Sequence, residues 1–145
     1  MSYEPEQHEN YPKEEMKSIY SKIASDHATN PRNLGNMEDA DGFAKVTGPC
    51  GDTMQIWLRV NDGNITNATF TTDGCGNAIA SCSIVTEIVK GKSISEALKM
   101  TQCDVLNALG GLPKEGEHCA LLAANILKAA IKDYIAMKKE PWNKA

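Results

Sequence analysis

The stretch from Met54 to Val60 alternates: Met54, Ile56, Leu58 and Val60 are apolar, with Gln55, Trp57 and Arg59 between them. A period of two belongs to a strand that buries one face and wets the other. Phe43 to Thr47 before it and Ile65 to Thr72 after it have the same strand character. The joints are turn sequences, Gly51-Asp52 and Asn61-Asp62-Gly63-Asn64, of the kind that link antiparallel neighbours. The expectation is an α+β chain in which a three-stranded antiparallel sheet packs against helices.

The helical segments lie on either side. Pro12 suits the first turn of a helix running through Met16, Ile19, Tyr20 and Ile23. It has to stop near Asn30-Pro31, because proline pushes the preceding residue out of helical geometry. Asn30-Pro31-Arg32-Asn33 and Gly35 then read as an ordered turn. After Gly76 the pattern is helical and apolar almost all round, through Ala78, Ile79, Cys82, Val85, Ile88 and Val89, so that helix is expected to be buried and to end at Gly91. Ser93 with Glu96 is a capping-box signature for a short helix. Thr101 with Asp104 resembles a second, which Gly110-Gly111 terminates. The last helix begins near His118-Cys119, and Ala120, Ala124, Leu127, Ile131 and Tyr134 step along one face. Residues 1–11 read as a disordered tail, 12–138 as a single domain and 139–145 as a frayed C-terminal tail.

With 145 residues there is enough chain for one core and too little for two. A formal charge of −4 argues against nucleic acid and anionic lipid as partners, since both demand a basic footprint. No apolar run is long enough to cross a bilayer. Glu4, Glu6, Glu9, Glu14 and Glu15 make the N-terminus too acidic for a transit peptide, and a cytoplasmic location is expected. Five cysteines without an export signal point to a reducing compartment and to metal or redox chemistry for some of them.

Cys50 lies in the turn between the first two strands, within Gly48-Pro49-Cys50-Gly51-Asp52. Cys75 follows the third strand and immediately precedes a helix, and Cys119 falls in the first turn of the last helix. A helix N-terminus favours thiolate over thiol, so Cys75 and Cys119 are expected to be good ligands and nucleophiles, Cys119 as an exposed thiolate. Packing of the meander against the last helix would bring the three to one end of the sheet. Cys82 and Cys103 fit apolar or cap positions of helices and read as small buried residues. Cys82, two turns below Cys75, keeps a supporting role open. Three thiolates leave a closed zinc or iron–sulfur site one ligand short, and Asp52 and His118, each next to or near a ligand cysteine, are the candidates for the fourth. A carboxylate holds iron less tenaciously than thiolate, so such a site favours release over storage. His27 reads as a surface or cap histidine.

With these motifs in view, the chain resembles the IscU/NifU-type iron–sulfur cluster assembly scaffolds from about Tyr20 to Tyr134. The match is carried by His27 with Asn30-Pro31-Arg32-Asn33, by Gly48-Pro49-Cys50-Gly51-Asp52, and by Gly74-Cys75-Gly76 with Ala78-Ile79-Ala80-Ser81. Val85-Thr86-Glu87, Gly91-Lys92 and His118-Cys119 with Leu122-Ala123 complete it. The resemblance implies the SufE/NifU-like fold and an assembly scaffold and sulfur acceptor rather than an enzyme. It implies that Cys50, Cys75 and Cys119 bind a nascent, transient 2Fe–2S cluster, that Asp52 promotes its release, and that His118 lies nearby. It further implies persulfide sulfur from a pyridoxal-phosphate cysteine desulfurase, with Cys119 as acceptor, iron from an iron donor or frataxin-like protein, and apo-proteins as recipients. Zinc suits the cluster-free form.

Two departures stand out. Where the family usually reads Leu-Pro-Pro-Val-Lys before its His-Cys pair, this chain has Leu112-Pro113-Lys114-Glu115-Gly116, which argues against dedicated Hsp70/J-protein chaperones. Ala120 and Cys82 each replace a common serine. The extra domains of full-length NifU are missing, so a stand-alone scaffold is expected. The main rival is a zinc-dependent sulfur-transfer protein of the SufU type, with the same cysteines and Asp52. Those relatives carry an insertion between the second and third cysteines and generally lack the histidine, whereas here that stretch is compact and His118 is present. A cysteine hydrolase using Cys119 with His118 is disfavoured, because adjacent residues project about 100° apart on a helix. A ferredoxin would want a fourth cysteine.

Overall fold

Asp62 and Gly63 both take left-handed backbone, with φ of 55° and 76°. A two-residue type I′ hairpin turn requires this at both central positions, and its twist matches that of the strands it joins. Strand β2 (Thr53–Asn61) therefore folds straight back into β3 (Asn64–Thr72), with Asn61 opposite Asn64. Strand β1 (Gly42–Thr47) pairs antiparallel with the other edge of β2, placing Thr47 opposite Thr53 and giving the order β1-β2-β3. The structure, a computed structural model, describes residues 21–48 and 51–139. The expected tails at 1–11 and 140–145 lie outside them.

Around this meander come helix α1 (Lys22–Thr29), helix α2 (Gly76–Val89), the short helices α3 (Ile94–Ala97) and α4 (Gln102–Leu109), a 3-10 turn at Lys114–Gly116 and the long helix α5 (Glu117–Lys139). The alternation of β2 becomes alternation of burial. Met54, Ile56 and Leu58 are sealed inside with Ile65, Ala68 and Phe70 of β3, while Phe43 and Trp57 face each other on the outer surface, ring centroids 5.2 Å apart. α5 lies along β1 and β2 on the buried face, and α2 lies beside it over β3. The approach of α5 to β1 is close: a Cβ on Gly42 would stand 2.5 Å from the Ala130 carbonyl oxygen, so glycine is required there. α2 buries nearly its whole circumference, and its small polar residues Asn77, Ser81, Ser83 and Thr86 go inside with the apolar ones.

Both capping boxes form. Ser93 and Glu96 close the start of α3, Thr101 and Asp104 that of α4, and Gly110 ends α4 in left-handed geometry at φ 76°. The turn after α1 is ordered by α2. The Arg32 N–H donates to Ser83 Oγ at 2.9 Å, and Asn33 Nδ2 donates to Thr86 Oγ1 and Glu87 Oε2. Backbone bonds between Phe70 and the Asn33–Gly35 segment then cover part of the free edge of β3.

The first helix differs from expectation. Ser21, extended at ψ 166°, caps α1 by accepting the Ala24 N–H at 2.9 Å, so helical geometry starts at Lys22 instead of running through from Pro12. Its hydroxyl also donates to the Leu109 carbonyl, tying α1 to the end of α4, and this double use explains the break. Pro12 to Tyr20 lie outside the described residues. The helix does end at Asn30, as Pro31 dictates.

Candidate functional site

The turn between β1 and β2, the β3–α2 junction and the start of α5 meet at one end of the sheet. In the turn, Gly48 N–H donates to the Asp52 carbonyl at 2.7 Å and Gly51 N–H donates to the Gly48 carbonyl at 3.0 Å. Cys50 lies outside the described residues. A Cβ on Gly48 would stand 2.9 Å from Leu122 Cδ1, so the turn rests directly on α5.

Asp52 reaches across to the β3–α2 junction, where its carboxylate lies against Gly74, beside Cys75. A Cβ on Gly74 would be 2.9 Å from Asp52 Oδ2 and 2.7 Å from the Ala78 methyl, which leaves no room for any residue but glycine. The junction is fastened to β2: Thr53 N–H donates to Asp73 Oδ1 at 2.7 Å, and Thr72 Oγ1 donates to the Thr53 carbonyl at 2.7 Å. Cys75 is the N-cap of α2, with extended backbone and an exposed side chain. It therefore stands at the positive end of a helix dipole, beside a carboxylate, with its sulfur open to solvent.

The third segment is locked to the second. The Asn77 side chain lies where a side chain at position 116 would go, 2.3 Å from a Cβ built on Gly116. Three residues further on, Cys119 is buried at 2% exposure. This overturns the expectation of an exposed thiolate: a first-turn position says nothing about which side of the helix meets the sheet and α2. His118 is half-buried, and its Nε2 lies 3.9 Å from Cys119 Sγ. The side chains of the two neighbours therefore do touch, because the long imidazole bridges the angle that separates them. At that distance the contact is at the loose limit for sulfur.

Cys82 is buried at 3% exposure, as its apolar helix predicts. Burial pushes its thiol up to about 12, with a smaller electrostatic contribution from Cys119 in the same direction. Cys103, expected inside, is exposed on α4, where Asn107 Nδ2 donates to its sulfur at 3.7 Å. His27, expected at the surface, is 7% exposed, and its Nδ1 lies 2.6 Å from Ser83 Oγ. Burial, followed by the nearby Arg32 charge, lowers its pKa against the smaller opposing pull of Asp26 and Glu87.

Asn77 is the site residue that sequence reasoning missed. It is 8% exposed, its Oδ1 has no hydrogen-bond partner, and Ser81 Oγ one turn along is likewise buried without one. An amide at the start of a mostly apolar helix was the available signal. Among the described residues, no three of the His, Cys, Asp and Glu side chains stand close enough together to hold a metal ion. Asp52, Cys75, His118 and Cys119 are brought to one end of the sheet, and the remaining candidate ligand, Cys50, is in the undescribed part of the turn. Among the described residues, no helix is long and apolar enough to cross a membrane.

Comparison with known proteins gives a consistent result. Residues 19–141 match the family model described as "NifU-like N terminal domain". An Archaeoglobus fulgidus protein named iron–sulfur cluster assembly scaffold protein IscU 1 is 52% identical over 117 residues, covering 80% of this chain and 76% of that protein. The Escherichia coli K12 protein named iron–sulfur cluster assembly scaffold protein IscU is 48% identical over 120 residues, covering 79% and 93%. Among solved structures, the N-terminal part of a nitrogen-fixing NifU-like protein from Brucella abortus superposes with a TM-score of 0.67 at 21% identity, covering 83% of this chain and 97% of that one. At that identity the likeness concerns the fold.

Proposed function

The chain belongs to the family of the NifU-like N-terminal domain, and from that premise we propose that it is a scaffold on which an iron–sulfur cluster is assembled and then passed to an apo-protein. The observation that carries this reading is the placing of the Asp52 carboxylate against Gly74 and beside the exposed Cys75, at the end of the sheet where α5 presents His118 and Cys119. Thiolates beside a carboxylate suit a cargo that has to leave: thiolate binds iron strongly, and carboxylate does so less tenaciously.

In this reading Cys50, Cys75 and Cys119 hold a labile 2Fe–2S cluster, Asp52 promotes its release and His118 is the alternative fourth ligand. Cys119 takes persulfide sulfur from a cysteine desulfurase, and an iron donor supplies the metal. The acting unit is one domain spanning residues 12–138, working in the cytoplasm. Because Cys119 is buried, delivery of sulfur requires the protein to open around it. The desulfurase would supply the binding energy for that opening.

The test is anaerobic reconstitution with iron, cysteine and a desulfurase, followed by visible absorption and metal analysis. Wild type is compared with Cys50→Ala, Cys75→Ala, Cys119→Ala and Asp52→Ala. The expected result is charge-transfer absorption lost in each cysteine variant and longer-lived in Asp52→Ala. A colourless protein that retains zinc and still accelerates the desulfurase would overturn the scaffold reading in favour of zinc-dependent sulfur transfer.

A further inference from the structure

The outer face of the sheet has no part in the site just described. Among the described residues, α2 and α5 meet the sheet from its other side, so the outward side chains of the three strands point away from the core. At the centre of this face Phe43 and Trp57 stand opposite each other on β1 and β2, ring centroids 5.2 Å apart. Phe43 is 37% exposed, and the Trp57 indole N–H has no hydrogen-bond partner among the described residues. Two cations flank the rings. Lys45, two residues from Phe43 on the same side of β1, is exposed and belongs to no ion pair among the described residues. Arg59, two residues from Trp57 on β2, donates to the Glu38 and Asp39 carbonyls, which leave its charge uncancelled. The other outward strand positions are threonine, glutamine and asparagine. The nearest carboxylates, Asp73 and Asp133, lie at the rims, each accepting a backbone N–H, from Thr53 and from Phe43. A chain of net charge −4 thus turns a cationic face with an aromatic centre to solvent.

We propose that this face docks the apo-protein that receives the cluster, and that it selects recipients whose contact surface is acidic around an apolar centre. This rests on the reading of the chain as a cluster scaffold. Charge and position both point to that occupant. An aromatic centre inside a polar rim is the make-up of a protein contact, whereas two cations are too few for a nucleic acid or an anionic membrane. Carboxylates on the recipient would meet Lys45 and Arg59, one of them accepting the Trp57 N–H, while an apolar side chain covers the rings. Opposite charge across a contact steers the encounter and excludes wrong partners.

Position ties the face to the cargo. It continues along β2 from Trp57 to Thr53, which pairs with Thr47 where the β1–β2 turn begins, their hydroxyls 3.2 Å apart. Those four residues of strand span about 13 Å. A recipient of ordinary domain size, about 26 Å or more across, therefore overhangs the end of the sheet that holds Asp52 and Cys75 when it is seated on the rings.

The experiment titrates the cluster-free protein with an acidic apo-ferredoxin by calorimetry, at low and at high salt. Wild type is compared with Trp57→Ala, Lys45→Glu and Lys99→Glu, the last making the same charge change on an exposed lysine away from this face. Trp57→Ala and Lys45→Glu are each expected to weaken binding about tenfold, with Lys99→Glu unchanged. Salt should weaken wild type more than Lys45→Glu. In transfer assays the same two variants should need more apo-ferredoxin for half-maximal rate, with the limiting rate and the cluster's lifetime without recipient unchanged. Equal binding by wild type, Trp57→Ala and Lys45→Glu, or no binding by wild type, would overturn the proposal. Equal weakening by Lys99→Glu would reduce it to net charge, and self-association that Trp57→Ala abolishes would give the face to a second copy. Should Trp57→Ala not fold, the two lysine variants decide. Failure to assemble a cluster would sink the scaffold reading instead, since the titration uses protein without one.

Discussion

The Asn77 side chain occupies the position that a Cβ at Gly116 would need, with its Cγ, Nδ2 and Oδ1 at 2.3, 2.5 and 2.6 Å from that point. The first turn of α2 is thereby keyed into the turn that leads to α5, and Cys75 and Cys119 are held in one register. The structure gives a physical reason for glycine at position 116.

Gly116→Ala is therefore expected to destabilise the fold by about 1–3 kcal/mol, the usual range for overpacking a filled interior. Asn77, which is 8% exposed, would have to move. Adding Asn77→Ala should recover part of the loss, since it removes the clashing group and an Oδ1 that has no partner to forfeit. Chemical denaturation of the two single variants and the double variant tests this. Additive losses would show that the two positions are not keyed together.

Much of this architecture is legible in the order of the amino acids. The period of two in Met54–Val60, the Asp62-Gly63 turn and both capping boxes are local signals, and local physics determines the result. The features that escape such a reading are tertiary. His27 looks like a surface residue because its partner Ser83 is 56 positions away. The burial of Cys119 depends on α2 and the sheet rather than on its place in a helical turn. Cys103 is different, because its exposure is legible: α4 buries Val105 and Leu109, and a residue two positions before Val105 projects about 200° away from it.

The Thr101 cap gives a second prediction, independent of the site. Its Oγ1 accepts the Asp104 N–H at 3.2 Å, while the Asp104 carboxylate accepts the Thr101 N–H at 3.0 Å. Thr101→Ala should cost about 1 kcal/mol, the typical value of a lost N-cap. Gln102 Nε2 beside it donates to the Glu117 carbonyl at 2.8 Å and ties α4 to the start of α5, so cluster formation should stay unchanged as long as that bond is kept. A thermal unfolding midpoint measured beside reconstitution checks both halves.

His27 predicts a pH dependence. Ser83 Oγ accepts the Arg32 N–H at 2.9 Å and lies 2.6 Å from His27 Nδ1. The pKa of His27 is lowered in the fold, first by burial and then by Arg32, with Asp26 and Glu87 opposing. The unfolded chain therefore binds a proton more readily than the native one, and stability rises with pH across the window between the two values. The contribution is present above about pH 6.5 and is lost as pH falls from there through the lowered value in the fold. Asp26 and Glu87 are also lowered in the fold, but their losses begin only as pH falls into the ordinary carboxylate range, about 4, and are separable from that of His27. Urea midpoints from pH 8 to 5 should fall for wild type and flatten for His27→Gln. A parallel fall in both proteins would assign the effect elsewhere.

The Asp52–Gly74 contact yields the prediction closest to function. Two groups crowd a Cβ at position 74, the Asp52 carboxylate and the Ala78 methyl, and they differ in freedom: Ala78 is fixed to the α2 backbone and the carboxylate is not. Gly74→Ala should cost about 1–3 kcal/mol by overpacking, and Asp52→Ala should relieve only the carboxylate share. The double variant is then expected to be more stable than the sum of the singles by about 0.5 kcal/mol or more, as for residues in direct contact. The bond from the Gly48 N–H goes to the Asp52 backbone carbonyl, and Asp52→Ala retains it. On the proposed function, Asp52→Ala should fold normally yet release its cluster to an apo-ferredoxin more slowly than wild type. Gly74→Ala, which displaces the carboxylate without deleting it, should slow release too, and less. Transfer followed by circular dichroism in the visible range reads both. Unchanged transfer in both variants would separate the carboxylate from release and leave it a role only in packing the junction beside Cys75.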